Sequence, residues 1–147
     1  MTDEQKRTIL AGVAGDGTTT RVDCDPRQFA PLTLAYIGDT VYDLYVRTRL
    51  INSQKLTPHG YHVAAAKCVC AAGQATAFRR IEPLLNENEN AIYKRGRNAH
   101  SGTVPKNANV NDYHTASGLE ALIGFLYLSG EDARLEQLMN SALEGVC

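Results

Sequence analysis

Residues 34–45 read Leu34-Ala35-Tyr36-Ile37-Gly38-Asp39-Thr40-Val41-Tyr42-Asp43-Leu44-Tyr45. Leu34, Ile37, Val41, Leu44 and Tyr45 recur at spacings of three and four, the period of an amphipathic helix. Elsewhere in the chain the helical period dominates, and no stretch alternates apolar and polar residues between turn signals, so the sequence predicts an all-α domain. The same segment sets Asp39 inside an otherwise apolar run. A carboxylate buried there must find a partner or shift its pKa and neutralise. A second acid, Glu120, has the same setting in Gly118-Leu119-Glu120-Ala121-Leu122-Ile123-Gly124-Phe125-Leu126. Packing two such helices together brings both acids into one core, where a divalent cation is a natural neutraliser. On the residues alone Asp39 has two readings, a metal ligand or a solvated edge acid paired with an arginine. Glu120 has the same two, with Ala116, Ser117 and Gly124 leaving room beside it. Asp43 has Arg47 one turn on and reads as half of a surface pair.

Outward from this helix, Asp25-Pro26 and Pro31 supply start signals for a main helix over about 32–50. Thr57-Pro58 starts a second, over about 58–81, whose many alanines present a thin surface to its neighbours. A third runs over about 87–97, acidic in its first turn and basic in its last, which suits the helix dipole. Ala99 to Val110, with Gly102 and Pro105, reads as an extended loop. Asn111 or Asp112 caps a helix to about 129, Gly130 ends it, and a last amphipathic helix begins at Glu131. Residues 1–24, with Gly15-Asp16-Gly17-Thr18-Thr19-Thr20, have the composition of a flexible arm that adds little to the core, leaving 25–147 as the folded domain.

A chain of 147 residues, 44% hydrophobic and 21% charged, fits one soluble domain. Its apolar runs fall short of the roughly 18 residues that span a bilayer, which argues against a membrane partner. The first residues resemble neither a secretory signal nor a transit peptide, so a cytoplasmic location is expected. Four cysteines without a C-x-x-C pair argue for free thiols rather than a zinc site or disulfide framework. The net charge of −1 hides an acid-free stretch from Asn90 to Asn111 that carries Lys94, Arg95, Arg97, His100 and Lys106. Arg95, Arg97, Asn98 and Lys106 are groups that contact phosphate and sugar, and such a local basic surface suits a polyanion. A solvated charged face is the plainer alternative. No G-x-S-x-G, P-loop or G-x-G-x-x-G fingerprint appears, which weakens acyl-transfer, nucleotide-hydrolysis and dinucleotide readings.

With those residues in view, the chain resembles the Mini-III ribonucleases, the short branch of the ribonuclease III superfamily. Four blocks carry the likeness: LAYIGDTVYDLYVR at 34–47, HVAAAKCVCAAGQA at 62–75, KRGRNAHSGTVPKNANV at 94–110 and ASGLEALIGFLYLSG at 116–130. The resemblance implies an all-helical endonuclease domain, active as a homodimer, that cuts double-stranded RNA with magnesium, manganese being an alternative. It implies a role in maturing the large-subunit (23S) ribosomal RNA precursor, with products carrying 5′ phosphate and 3′ hydroxyl. Asp39 and Glu120 match the acids of the family's two signature helices and would be both catalytic and metal-binding. Two further carboxylates of full-length ribonuclease III fall at Ala35 and Ser117 here. No double-stranded-RNA-binding domain follows, so the catalytic dimer itself would hold RNA, through Arg95, Arg97, Asn98 and Lys106. Apolar residues wrap around more than one face of the first signature helix, which assigns Tyr36, Ile37, Thr40 and Leu44 to the dimer contact. No accessory ribosomal protein is legible. Two competing readings are a non-catalytic RNA-binding dimer and a helical metal-dependent phosphohydrolase of small phosphate esters. Retention of both acids disfavours the first, and the basic loop disfavours the second.

Overall fold

A computed structural model of the chain describes residues 8–13, 15, 19–99, 106 and 109–145. Among them are six α-helices and no strand: α1 (Pro31–Ser53), α2 (Pro58–Val69), α3 (Ala71–Ile81), α4 (Glu87–Asn98), α5 (Val110–Leu128) and α6 (Asp132–Ala142). The all-helical expectation holds. Within the described residues, no helix is long and apolar enough to cross a membrane.

The local signals explain most boundaries. Thr57 caps α2 by accepting from Gly60 N at 3.0 Å. Asn86 and Glu89 close a reciprocal capping box on α4, which satisfies two orphan N–H groups at once. Asn109, rather than Asn111 or Asp112, caps α5 and accepts from Asp112 N at 3.1 Å. The loop expected before it lies mostly outside the described residues.

Helix α5 is the centre of the molecule. Ala116, Gly118, Leu119, Ala121, Leu122, Ile123, Gly124, Phe125 and Leu126 are all buried, an all-round apolar pattern that only a helix enclosed by others can carry. Helices α1, α3, α4 and α6 surround it, α1 most extensively. The α1–α5 crossing is unusually close. A Cβ on Gly38 would lie 1.7 Å from the Glu120 carbonyl oxygen, and one on Gly124 would lie 1.9 Å from the Leu34 carbonyl oxygen. Only glycine at both positions lets the two backbones touch, and that contact sets Asp39, the residue after Gly38, beside Glu120.

Three expectations are corrected. The helix anticipated over 58–81 is two helices, broken at Cys70, whose backbone is extended (φ −67°, ψ 163°). The break is stabilised from α1 and from α3: the Tyr42 hydroxyl donates to Cys68 O at 2.8 Å and Gln74 Nε2 donates to Val69 O at 3.0 Å. These bonds satisfy carbonyls that the interrupted ladder frees. Nor does the segment before residue 25 leave the core untouched. Leu10 is 1% exposed within it. Arg21 donates to both Asp132 oxygens at 2.6 Å and also to Leu10 O and Tyr127 O, so this segment straps the corner between α5 and α6. Its arm-like composition concealed one arginine with a buried partner. Among the cysteines, Cys24 and Cys70 are free and exposed as expected, whereas Cys68 is disulfide-bonded.

Candidate active site

Asp39 and Glu120 line one cleft of about 350 Å³, together with Val69, Ala71, Gln74, Tyr113, Ala116 and Ser117. Four elements contribute, because the α1–α5 crossing supplies the acids and the α2–α3 break supplies the opposite wall. The acids differ in setting. Asp39 is exposed at the rim and Glu120 is half-buried, so they meet in a cleft open to solvent and not in the sealed core that the apolar runs suggested. Burial, and then the nearby charge of Asp39, push the Glu120 carboxyl up to about 7, while a hydrogen bond from the Gln74 side chain opposes the rise. A carboxyl raised in this way by desolvation and a like charge makes the cleft a candidate functional site.

The cleft presents carboxylate, amide and hydroxyl groups and neither cysteine nor histidine. Among the described residues, no group of three His, Cys, Asp or Glu side chains is placed to hold a metal. The positions of the two further family carboxylates, Ala35 and Ser117, are respectively buried and on the cleft wall. Asp43 is tied to Arg47 Nε at 3.0 Å, as its spacing predicts, and stays outside the site. A cavity of similar size, about 370 Å³, lies between α1, α6 and Ile9, but its one acid, Glu136, accepts from Ile9 N at 3.0 Å. It holds no acid pair.

The basic residues end α4 close to this cleft. A Cβ on Gly96 would lie 2.6 Å from Ala121 Cβ and 3.0 Å from Ser117 O, so the last turn of α4 presses on the turn of α5 that carries Glu120. Arg97 follows directly, with its guanidinium 5.7 Å from the Tyr93 ring centroid and Nε donating to Asn98 Oδ1 at 3.3 Å. Arg95 is partly engaged elsewhere and donates to Arg27 O and Phe29 O at 3.2 and 3.3 Å. Lys106 is exposed, and most of the loop that carries it lies outside the described residues.

On α1, Tyr36 is 81% and Leu44 42% exposed, and Thr40 is exposed between them. Ile37 departs from this set: it packs against the core, with its Cγ2 over Gly124. Sequence reasoning passed over Gln74. It lay in one of the quoted blocks without a role, and its one local signal was a lone amide among small residues, Ala71-Ala72-Gly73-Gln74-Ala75.

Comparison with known proteins places this geometry in context. The ribonuclease III domain profile matches residues 32–131. Mini-ribonuclease 3 of Clostridium tetani is 46% identical over 116 residues, 78% of this chain and 77% of its own length. The Enterococcus faecalis Mini-ribonuclease 3 is 40% identical over 124 residues, 83% of this chain and 94% of its own. A crystal structure of a Fusobacterium nucleatum protein superposes with a TM-score of 0.71 at 27% identity, covering 82% of this chain and 97% of that one.

Proposed function

This chain belongs to the ribonuclease III family, and from that premise we propose that the Asp39–Glu120 cleft is the catalytic centre of a magnesium-dependent endonuclease for double-stranded RNA. The substrate we assign is the large-subunit ribosomal RNA precursor, cut to leave 5′ phosphate and 3′ hydroxyl ends. One observation supports this reading above the others: two carboxylates on crossing helices line the same cleft, and Asp39 helps to push Glu120 up to about 7.

The donor set fits a hard divalent cation. Carboxylate and amide oxygens with no sulfur or imidazole suit magnesium or manganese better than zinc. Asp39 and Glu120 are the residues that would hold it. When bound, such a cation polarises a phosphodiester and lowers the pKa of a coordinated water. The protein's own contribution is positional. The glycine crossing fixes both helices, and Glu120 must release its carboxyl proton before its oxygens can serve as ligands.

Phosphates of the duplex would meet Arg97 and Asn98 at the end of α4 and Lys106 beyond it, with Arg95 sharing that edge. A-form RNA hides its base edges in a deep groove, so recognition by this surface rests on shape and backbone. Leu32, Tyr36, Thr40 and Leu44 follow one another at intervals of four along α1, and Leu32, Tyr36 and Leu44 are 38%, 81% and 42% exposed. That apolar ridge is the surface we assign to an isologous homodimer, which would present one cleft to each strand.

The test is incubation of the purified protein with a long duplex RNA and a single-stranded control, with and without magnesium, alongside sedimentation. Magnesium-dependent cleavage of the duplex by a dimer is the expected result. Duplex binding without cleavage under any divalent cation would favour the non-catalytic reading, and turnover of a small phosphate ester without duplex preference would favour the phosphohydrolase.

A further inference from the structure

Gln74 is 2% exposed, yet it lines the cleft that holds Asp39 and Glu120. Its orientation is fixed chemically. Val69 O is an acceptor, so the end of the carboxamide that meets it at 3.0 Å is the Nε2 amide. The same side chain lies near enough to the Glu120 carboxyl to favour its charged form. Its Oε1 is left buried without a partner.

Buried polar atoms without a partner are uncommon in folded proteins and call for an explanation at each instance. Three side-chain atoms of this kind occur among the described residues: Thr8 Oγ1, Tyr45 Oη and Gln74 Oε1. Of the three residues, Gln74 is the one that lines the acid cleft. Two carboxylates supply only part of the six oxygens an octahedral magnesium takes, and waters fill the rest. Those waters need acceptors of their own, and a neutral carbonyl that cannot compete for a proton is suited to the role.

Resting on the reading of the cleft as a cation site, we propose that Gln74 is its third protein residue, with Oε1 accepting a hydrogen bond from a water in the cation's hydration shell. The α2–α3 break thereby has a function. It turns the start of α3 toward the crossing of α1 and α5, and the Gln74–Val69 bond locks the amide in that direction.

The test is calorimetric titration of manganese into the metal-free protein without RNA, for wild type, Asp39→Asn, Gln74→Leu and Gln74→Glu. Wild type is expected to bind manganese saturably and Asp39→Asn to lose that binding. Gln74→Leu, which removes the acceptor, should weaken binding roughly tenfold to a hundredfold, the range seen when outer-shell partners are lost. Gln74→Glu keeps an oxygen acceptor and loses the donor to Val69 O. It should bind at least as tightly as wild type, whereas a residue that merely held the helix corner would fail in both variants. A folded Gln74→Leu with wild-type affinity would overturn the proposal while leaving Asp39 as a ligand. Should Gln74→Leu not fold, Gln74→Glu decides, and binding weaker than wild type overturns the proposal. Wild type that takes up no manganese would overturn the cation site itself.

Discussion

Placing an alanine at Gly38 tests whether the site depends on the contact between two helix backbones. The new methyl carbon would sit 1.7 Å from the Glu120 carbonyl oxygen, whereas real Cβ contacts are essentially never under 3.0 Å. The helices must therefore part by at least about 1.3 Å at the crossing. Both clashing atoms are tied to helix backbones, so no side-chain rotation relieves the overlap. Overpacking of this kind costs about 1–3 kcal/mol where side chains can adjust, and a backbone clash belongs at or above the top of that range. The same shift moves Glu120 relative to Asp39, and a misplacement near 1 Å lowers a positioned reaction by roughly a hundredfold. The expected outcome for Gly38→Ala is a loss of about 3 kcal/mol in urea unfolding. Single-turnover cleavage of duplex RNA should fall by about two orders of magnitude in the fraction still folded. Gly124→Ala, aimed at Leu34 O from the opposite helix, should behave alike. Gly60→Ala is the control, because its Cβ would meet side-chain atoms of Leu56 and Thr57 at 3.2 Å and should shift stability by less than about 1 kcal/mol. A Gly38→Ala protein that folds and cleaves within twofold of wild type would refute the claim that this crossing positions the acids.

The remaining predictions concern charge. Asp39→Asn and Glu120→Gln should each leave the fold intact and reduce cleavage below about a tenth of wild type at saturating magnesium; activity above that level speaks against direct metal ligation. The Glu120 carboxyl is raised from 4.5 to about 7, so the folded state holds its proton longer than the unfolded chain does, and metal-free protein should lose stability as pH rises from about 4.5 through 7. Glu120→Gln should flatten that decline, and parallel urea titrations in chelator that overlay for the two proteins would count against it. Arg21→Met strands Asp132, whose side chain is 2% exposed like that of Arg21, and should cost about 3–5 kcal/mol in denaturant unfolding, as when one member of a buried pair is removed; a change under about 1 kcal/mol would show that the strap carries little. Replacing Arg97 and Lys106 together by alanine should weaken duplex-RNA binding across sequences and flatten its salt dependence by roughly one log–log unit per lost phosphate contact. An unchanged slope would reduce that surface to a solvated face.

The acids were legible because the signal is local: a carboxylate inside an apolar run stands out without knowledge of its neighbours. Helices α1, α4, α5 and α6 were legible for the same reason, through caps and periodicity in adjacent residues. What escaped reading depends on groups far apart in the chain. The break at Cys70 has no proline or glycine at the break itself and relies on Tyr42 reaching Cys68 O. Arg21 meets Asp132 across 111 positions, and nothing in a run of glycine and threonine announces that pairing. The apolar stripe read on α1 also divides in space: Leu34, Val41 and Tyr45 turn inward, while Leu44 remains 42% exposed. Periodicity gives the helix, and only its neighbours decide how wide a face they cover.

The two acids occupy unlike settings, and in the proposed cation site that difference would give them unlike tasks. Asp39 is exposed on a helix whose adjacent glycine is clamped to α5, so its backbone is fixed while its carboxylate stays hydrated. Glu120 is half-buried and carries the raised carboxyl, so below about pH 7 it holds its proton unless positive charge enters the cleft. In the proposed cation site an approaching cation would meet the exposed Asp39 at the rim first, and its arrival would lower the cost of ionising Glu120. Coupling of this kind makes proton release accompany cation uptake. Calorimetric titrations of manganese in buffers of differing ionisation enthalpy should show close to one proton released per cation at about pH 5.5, falling to about three-quarters at about pH 6.5. Glu120→Gln should release none, and equal release from both proteins would remove Glu120 from the site.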